Sequence, residues 1–199
     1  MREPLNRQFG LMSRKLQRAR SACGARGARA FTLIEILIVV VILGIMAMIV
    51  IPQFSNASHQ ARENTLKDDM RFLRLQVQVF AAQHRDVPPG YPGGSTSAVP
   101  TEADFEAQMT LHTSEDCSTS ATSSPVYKYG PYLSRLPINP ISNQAGVYVV
   151  PNGTAMPAAA SLPVMNGGVP YGWIYKPQTQ EFMVNLAGSD SNGTPFANY

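Results

Sequence analysis

Residues Phe31–Pro52 read FTLIEILIVVVILGIMAMIVIP. Between Phe31 and Ile51 a single residue, Glu35, carries a formal charge, and from Ile36 to Ile51 every residue is apolar or Gly44. At about 1.5 Å per residue, a helix of this length rises roughly 30 Å, the thickness of a bilayer's hydrocarbon core. A carboxylate near the start of such a span is costly in lipid and therefore points to a function. The stretch reads as a membrane anchor with a second task.

Toward the N-terminus lies a strongly basic arm. Arg2, Arg7, Arg14, Lys15, Arg18, Arg20, Arg26 and Arg29 stand against Glu3 alone, a net charge of +7. The whole chain of 199 residues carries only +3, so the remainder is acidic at −4. The basic balance belongs to the arm, and the body offers no electrostatic case for binding nucleic acid. Residues 1–30 read as a leader. Positive residues stay on the cytoplasmic side, which predicts that the C-terminal body lies beyond the membrane. Cys23 is in the arm and Cys117 in the body; no metal-binding cysteine spacing occurs. Cys117 reads either as a free thiol or as half of an intermolecular pair.

Toward the C-terminus the helical pattern continues past the span to about Arg85, with a bend expected at Pro52. Leu66, Met70, Leu73, Val77 and Phe80 recur every three or four residues, an apolar stripe suited to a core. Phe72, Leu75 and Val79 form a second stripe, a candidate subunit contact. Glu63 and Lys67 are spaced as an i,i+4 ion pair. His59 and His84 read as surface or stripe-edge residues. A helix this long exceeds what the remaining chain can cover, so half of it must be buried in lipid or in other subunits.

Asp86–Pro100 ends the helix with Pro and Gly. Thr101–Asp104 has the form of a capping box opening a short helix, with Phe105 and Met109 on one face. Thr113–Pro125 reads as a Ser/Thr surface loop. Strands are predicted at Gly146–Val150, Tyr171–Lys176 and Glu181–Leu186, the last two joined as a hairpin by Pro177–Gln180. Trp173 reads as core. The fold class is α+β: a long N-terminal helix, membrane-spanning in its first half, packed on a small C-terminal antiparallel sheet. The expected divisions are residues 1–30, 31–52, 53–85 and 86–199.

These features resemble the type IV pilin and type II secretion pseudopilin superfamily, whose leader is followed by F-T-L-I-E and an apolar helix. Phe31-Thr32-Leu33-Ile34-Glu35 matches letter for letter, and Gly44 and Pro52 fall where family members carry them. The chain departs from the family at Ala30, where the family has Gly before the cleavage point. Thr101–Phe105, Gly130-Pro131-Tyr132-Leu133 with Leu136-Pro137, and Gly172–Tyr175 look most like the major pseudopilin.

The resemblance implies that a prepilin peptidase cuts between Ala30 and Phe31 and methylates the Phe31 amine. It implies that Glu35 pairs with that amine on a neighbouring subunit during assembly. It implies partners: further copies in a homopolymeric filament, minor pseudopilins, the peptidase, an inner-membrane assembly platform, and lipid before assembly. It also implies calcium at a C-terminal loop, here Ser189, Asp190, Ser191 and Asn192. Asp190 is the only acid there, and a solvated Gly/Ser/Asn tail is the competing reading. The resulting expectation is a non-enzymatic subunit of a type II secretion pseudopilus, in the inner membrane with its body in the periplasm. A type IV pilin for adhesion, motility or DNA uptake is the alternative. A membrane-anchored enzyme or binding protein is a third reading, against which stands the lack of a nucleophile–base set, phosphate loop or metal cluster.

Overall fold

A computed structural model of the chain describes residues 31–199. The leader, Ala30 and Cys23 lie outside the described residues. The chain forms two compact units, one up to Ala47 and one from Met48 to Tyr199. The element α1 (Leu33–Gln83) contributes to both.

In the first unit α1 opens on Thr32. The Thr32 hydroxyl accepts the Glu35 amide at 3.3 Å, and the Thr32 carbonyl accepts the Glu35 and Ile36 amides. This satisfies donors that every helix start leaves unpaired. Glu35 also places an acid in the first turn, where the helix dipole favours it. All residues from Phe31 to Ile51 are exposed, although the most apolar window of α1 has a mean hydropathy of 3.2. The helical backbone runs through Pro52 without a break. Proline removes one hydrogen bond there, the partner of the Met48 carbonyl, and the turns on either side keep theirs.

In the second unit α1 meets the body along the predicted stripe. Leu66, Met70, Leu73, Val77 and Phe80 are all buried, as three- and four-residue spacing requires of a core-facing strip. Helical geometry stops at Gln83, two residues before the expected end. The Asp86 amide reaches back to the Ala81 carbonyl at 2.9 Å, with Arg85 and Asp86 both in the left-handed region, and Pro88 and Pro89 follow. The predicted cap on α2 (Glu102–Thr110) is present: Thr101 Oγ1 accepts the Asp104 amide at 3.0 Å.

The main sheet has three strands in the order β3 (Val147–Val149), β6 (Trp173–Lys176), β7 (Glu181–Val184). β6 and β7 form the expected antiparallel hairpin. β3, however, runs parallel to β6, so the sheet is mixed. A long connection, residues 150–172, allows the chain to return before pairing; a tight turn would have forced an antiparallel pair. Two short antiparallel pairs lie outside the predicted strands. They are β1 (His112–Thr113) with β2 (Thr119–Ser120), and β4 (Met165–Asn166) with β5 (Val169–Pro170).

Central strand β6 is covered on both faces. Trp173 and Tyr175 point into the core shared with α1 and α2, and Ile174 points the other way, to Val150 and Leu162. Trp173 is fully buried and its ring N–H donates to the Pro137 carbonyl at 2.8 Å. The Gly130–Leu133 segment fastens α2 in place: the Tyr132 and Leu133 amides both donate to the Met109 carbonyl, and the Tyr132 hydroxyl donates to Gln83 of α1. Gly130 has φ +68°, and a Cβ there would sit 2.7 Å from the Leu111 carbonyl oxygen, so only glycine fits this close approach.

Two buried polar side chains join segments distant in sequence. Gln108 of α2 accepts the Gly90 amide at 2.7 Å and donates to the Tyr91 and Cys117 carbonyls. His84, expected at the surface or at the edge of the stripe, is buried and stacked on Phe80, the stripe's last residue, with ring centroids 3.9 Å apart. Its Nδ1 is 2.7 Å from the Phe80 carbonyl and its Nε2 3.0 Å from the Thr113 hydroxyl. A neutral ring donating from Nδ1 and accepting at Nε2 satisfies both. Burial lowers the His84 pKa, and the Phe80 and Ser114 main chain and the acids Asp116 and Glu115 oppose it in part. The unfolded chain therefore binds a proton that the folded chain resists. Stability contributed by the neutral ring is complete above the ordinary histidine value of about 6.5 and is lost as pH falls below it. The thermal midpoint is expected to fall between pH 7 and pH 5, and to fall less in His84→Gln; parallel profiles for the two proteins contradict this assignment.

Candidate functional site

Two places carry the residues singled out by sequence. The first is the start of α1. Phe31 is 75% exposed, and Glu35 lies one turn into a helix whose apolar side chains are exposed as far as Ile51. Such a surface greatly exceeds what a soluble monomer exposes, so lipid or other copies must cover it. The Thr32–Glu35 spacing that carries the family resemblance also has the form of a capping box, a signal present in the sequence but unused in reading it.

The second place is the segment Ala187–Tyr199, where the tail closes onto α1 within the second unit. Asp190 is buried, its side chain 1% exposed. One carboxylate oxygen accepts the Asn192 and Thr194 amides at 2.9 and 2.8 Å. The other accepts the Tyr199 hydroxyl at 2.5 Å and the Lys67 ammonium at 3.3 Å. Lys67 also lies 4.6 Å from the centre of the Tyr199 ring. The Tyr199 hydroxyl, helped by the two amides and by Lys67, holds the Asp190 carboxyl down to about 2 against the opposing effect of burial. What this pairing contributes to stability is thus present above the ordinary aspartate value and is lost only as pH falls through about 2.

Glu63 does not turn to Lys67. Its two oxygens accept the Ser191 amide at 2.9 Å and the Ser191 hydroxyl at 2.7 Å, while Lys67 goes to Asp190. The buried Asp190 draws the cation more strongly than a solvated neighbour on the same helix face. The tail is therefore a fixed element, anchored also by buried Phe196.

The four residues expected to hold calcium are together in this loop, but their donors are committed. A carboxylate has about four acceptor positions, and all four on Asp190 are filled. Calcium takes 6–8 oxygens. The residues present do not fit that ion without displacing Lys67. Among the described residues no group of three or more His, Cys, Asp and Glu side chains converges.

Cys117 is buried, and desolvation pushes its thiol up to about 11. On the second stripe of α1, Phe72 is 47% and Leu75 54% exposed, while Val79 is half-buried.

A long apolar helix with an acid in its first turn, continued into a small α+β body, is the layout of a filament subunit of the pilin kind. The chain belongs to the type IV pilin and type II secretion pseudopilin superfamily. Residues 25–51 match the family described as the prokaryotic N-terminal methylation motif. The chain is 30% identical over 99 residues to the type IV narrow pilus major component PilA5 of Thermus thermophilus, a stretch covering 46% of this chain and 85% of that one. It is 40% identical over 55 residues to the type II secretion system core protein G of Pseudomonas aeruginosa, covering 28% of this chain and 39% of the relative's length. No solved structure matches the chain.

Proposed function

We propose that this chain is a non-catalytic structural subunit of a type II secretion pseudopilus. The observation that carries the reading is Phe31-Thr32-Leu33-Ile34-Glu35 at the head of an apolar helix that the chain itself leaves uncovered. On this reading residues 1–30 are removed between Ala30 and Phe31, the new Phe31 amine is methylated, and the span waits in the inner membrane with its body in the periplasm. Assembly then exchanges lipid for neighbouring helices. The Phe31 amine of one subunit and Glu35 of the next neutralise each other, because neither charge is stable alone in so apolar a setting. Pro52 falls at the end of the apolar half of α1, as in the family.

The pseudopilus form is supported by similarity over 55 residues to the core protein G and by the sequence likeness of Gly130–Leu133 to the major pseudopilin. A type IV pilus subunit is the second reading, favoured by the match that spans 85% of PilA5. Deleting the gene in its host separates them. The expected result is loss of exported proteins from the medium with surface pili and twitching intact. Intact export with loss of pili overturns the pseudopilus reading and selects the other.

A further inference from the structure

The tail contains a buried anion whose neutralising charge comes from far away in the chain. Asp190 and Lys67 are separated by 123 positions, yet no other side-chain cation lies within ion-pair distance of Asp190 among the described residues. An isolated carboxylate at 1% exposure would be strongly unfavourable. A loop of this kind can obtain its positive charge from solution, as a metal ion, or from a side chain. Here the ammonium is already within 3.3 Å and is held in place by the face of the Tyr199 ring. The same Tyr199 closes the other side of the carboxylate through its hydroxyl, and Arg74 donates to the Tyr199 main-chain oxygen. Next to this cluster is a polar groove of about 530 Å³ lined by Asn56, His59, Gln60, Glu63 and Asp190. Glu63, the second carboxylate there, is committed to Ser191.

We propose that Lys67 is the resident cation of the tail: its ammonium closes residues 187–199 onto α1, so the body keeps its fold without a divalent metal ion. The role goes beyond filament membership and does not depend on which filament the chain builds. It turns a dependence on external ion concentration into one on a single side chain.

The test uses the full chain in detergent, with unfolding followed by fluorescence of its one tryptophan, the buried Trp173. Thermal midpoints are compared in EGTA and in about 5 mM calcium at constant ionic strength. The wild-type midpoints are expected to agree within about 1 °C. Lys67→Met, which keeps the length and removes the charge, is expected to lower the midpoint by roughly 4 °C or more, and Lys67→Arg by clearly less. A calcium-dependent rise of more than about 3 °C in the wild type overturns the proposal. So does a Met variant within about 1 °C of wild type, or an Arg variant that loses as much as Met. If the Met variant fails to fold, the wild-type comparison and the Arg variant still decide.

Discussion

A Glu35→Leu chain is expected to enter the membrane as the wild type does and to yield almost no filament. Leucine extends the apolar run at Ile34 and Ile36, so insertion becomes easier. On the proposed pairing, assembly loses the partner of the Phe31 amine. Breaking one side of a buried charge pair costs about 3–5 kcal/mol, and that loss recurs at every subunit joint. A single joint weakened by this amount is disfavoured by a factor of roughly 100 or more. Glu35→Gln removes the same charge at nearly constant volume and separates charge from shape. Immunoblots of membrane and sheared-filament fractions give the readout, and a normal filament fraction from either variant removes the pairing mechanism.

The second large effect is in the body. Gln108→Leu fills nearly the same space but orphans the Gly90 amide and the Cys117 carbonyl, while the Tyr91 carbonyl keeps the Gly94 amide. Each buried group left without a partner costs about 1–3 kcal/mol. For the two groups the expected loss is about 4 kcal/mol, a large share of a typical total of about 5–15. In urea unfolding followed at Trp173, this appears as a lowered midpoint with little change in slope. Gln108→Glu keeps the acceptor for Gly90 but has no donors, and is expected to fare no better near neutral pH. A loss below about 1 kcal/mol in Gln108→Leu means that Gln108 does not hold the two loops together.

What could be read from sequence follows the range of the forces involved. The stripe Leu66–Phe80, the Thr101 cap and the β6–β7 hairpin are set by neighbours a few positions away, and each appears where the spacing puts it. Glu35 is legible for another reason: a charge in an apolar run stands out whatever the tertiary structure. The misread features depend on distant partners. β3 pairs parallel to β6 across an intervening loop, and nothing in the local pattern of Val147–Val149 distinguishes the two directions. His84 carries a polar label, and its burial follows from Thr113, which lies 29 positions further on. Lys67 has a suitable acid four residues before it, but an acid 123 positions away wins because it is buried. The Gly/Ser/Asn composition of residues 187–199 suggests solvation, yet Asp190 and Phe196 are both inside.

The setting of Cys117 matters most where many copies stand side by side. In a polymer every subunit presents the same groups to its neighbours, so an accessible thiol would be repeated at each joint. In an oxidising compartment such thiols couple neighbours covalently and irregularly. A thiol raised to about 11 exposes only about one reactive thiolate in ten thousand at pH 7, and here even that fraction is under the surface. In the filament of the proposed function, a buried Cys117 thiol is kept out of such cross-links.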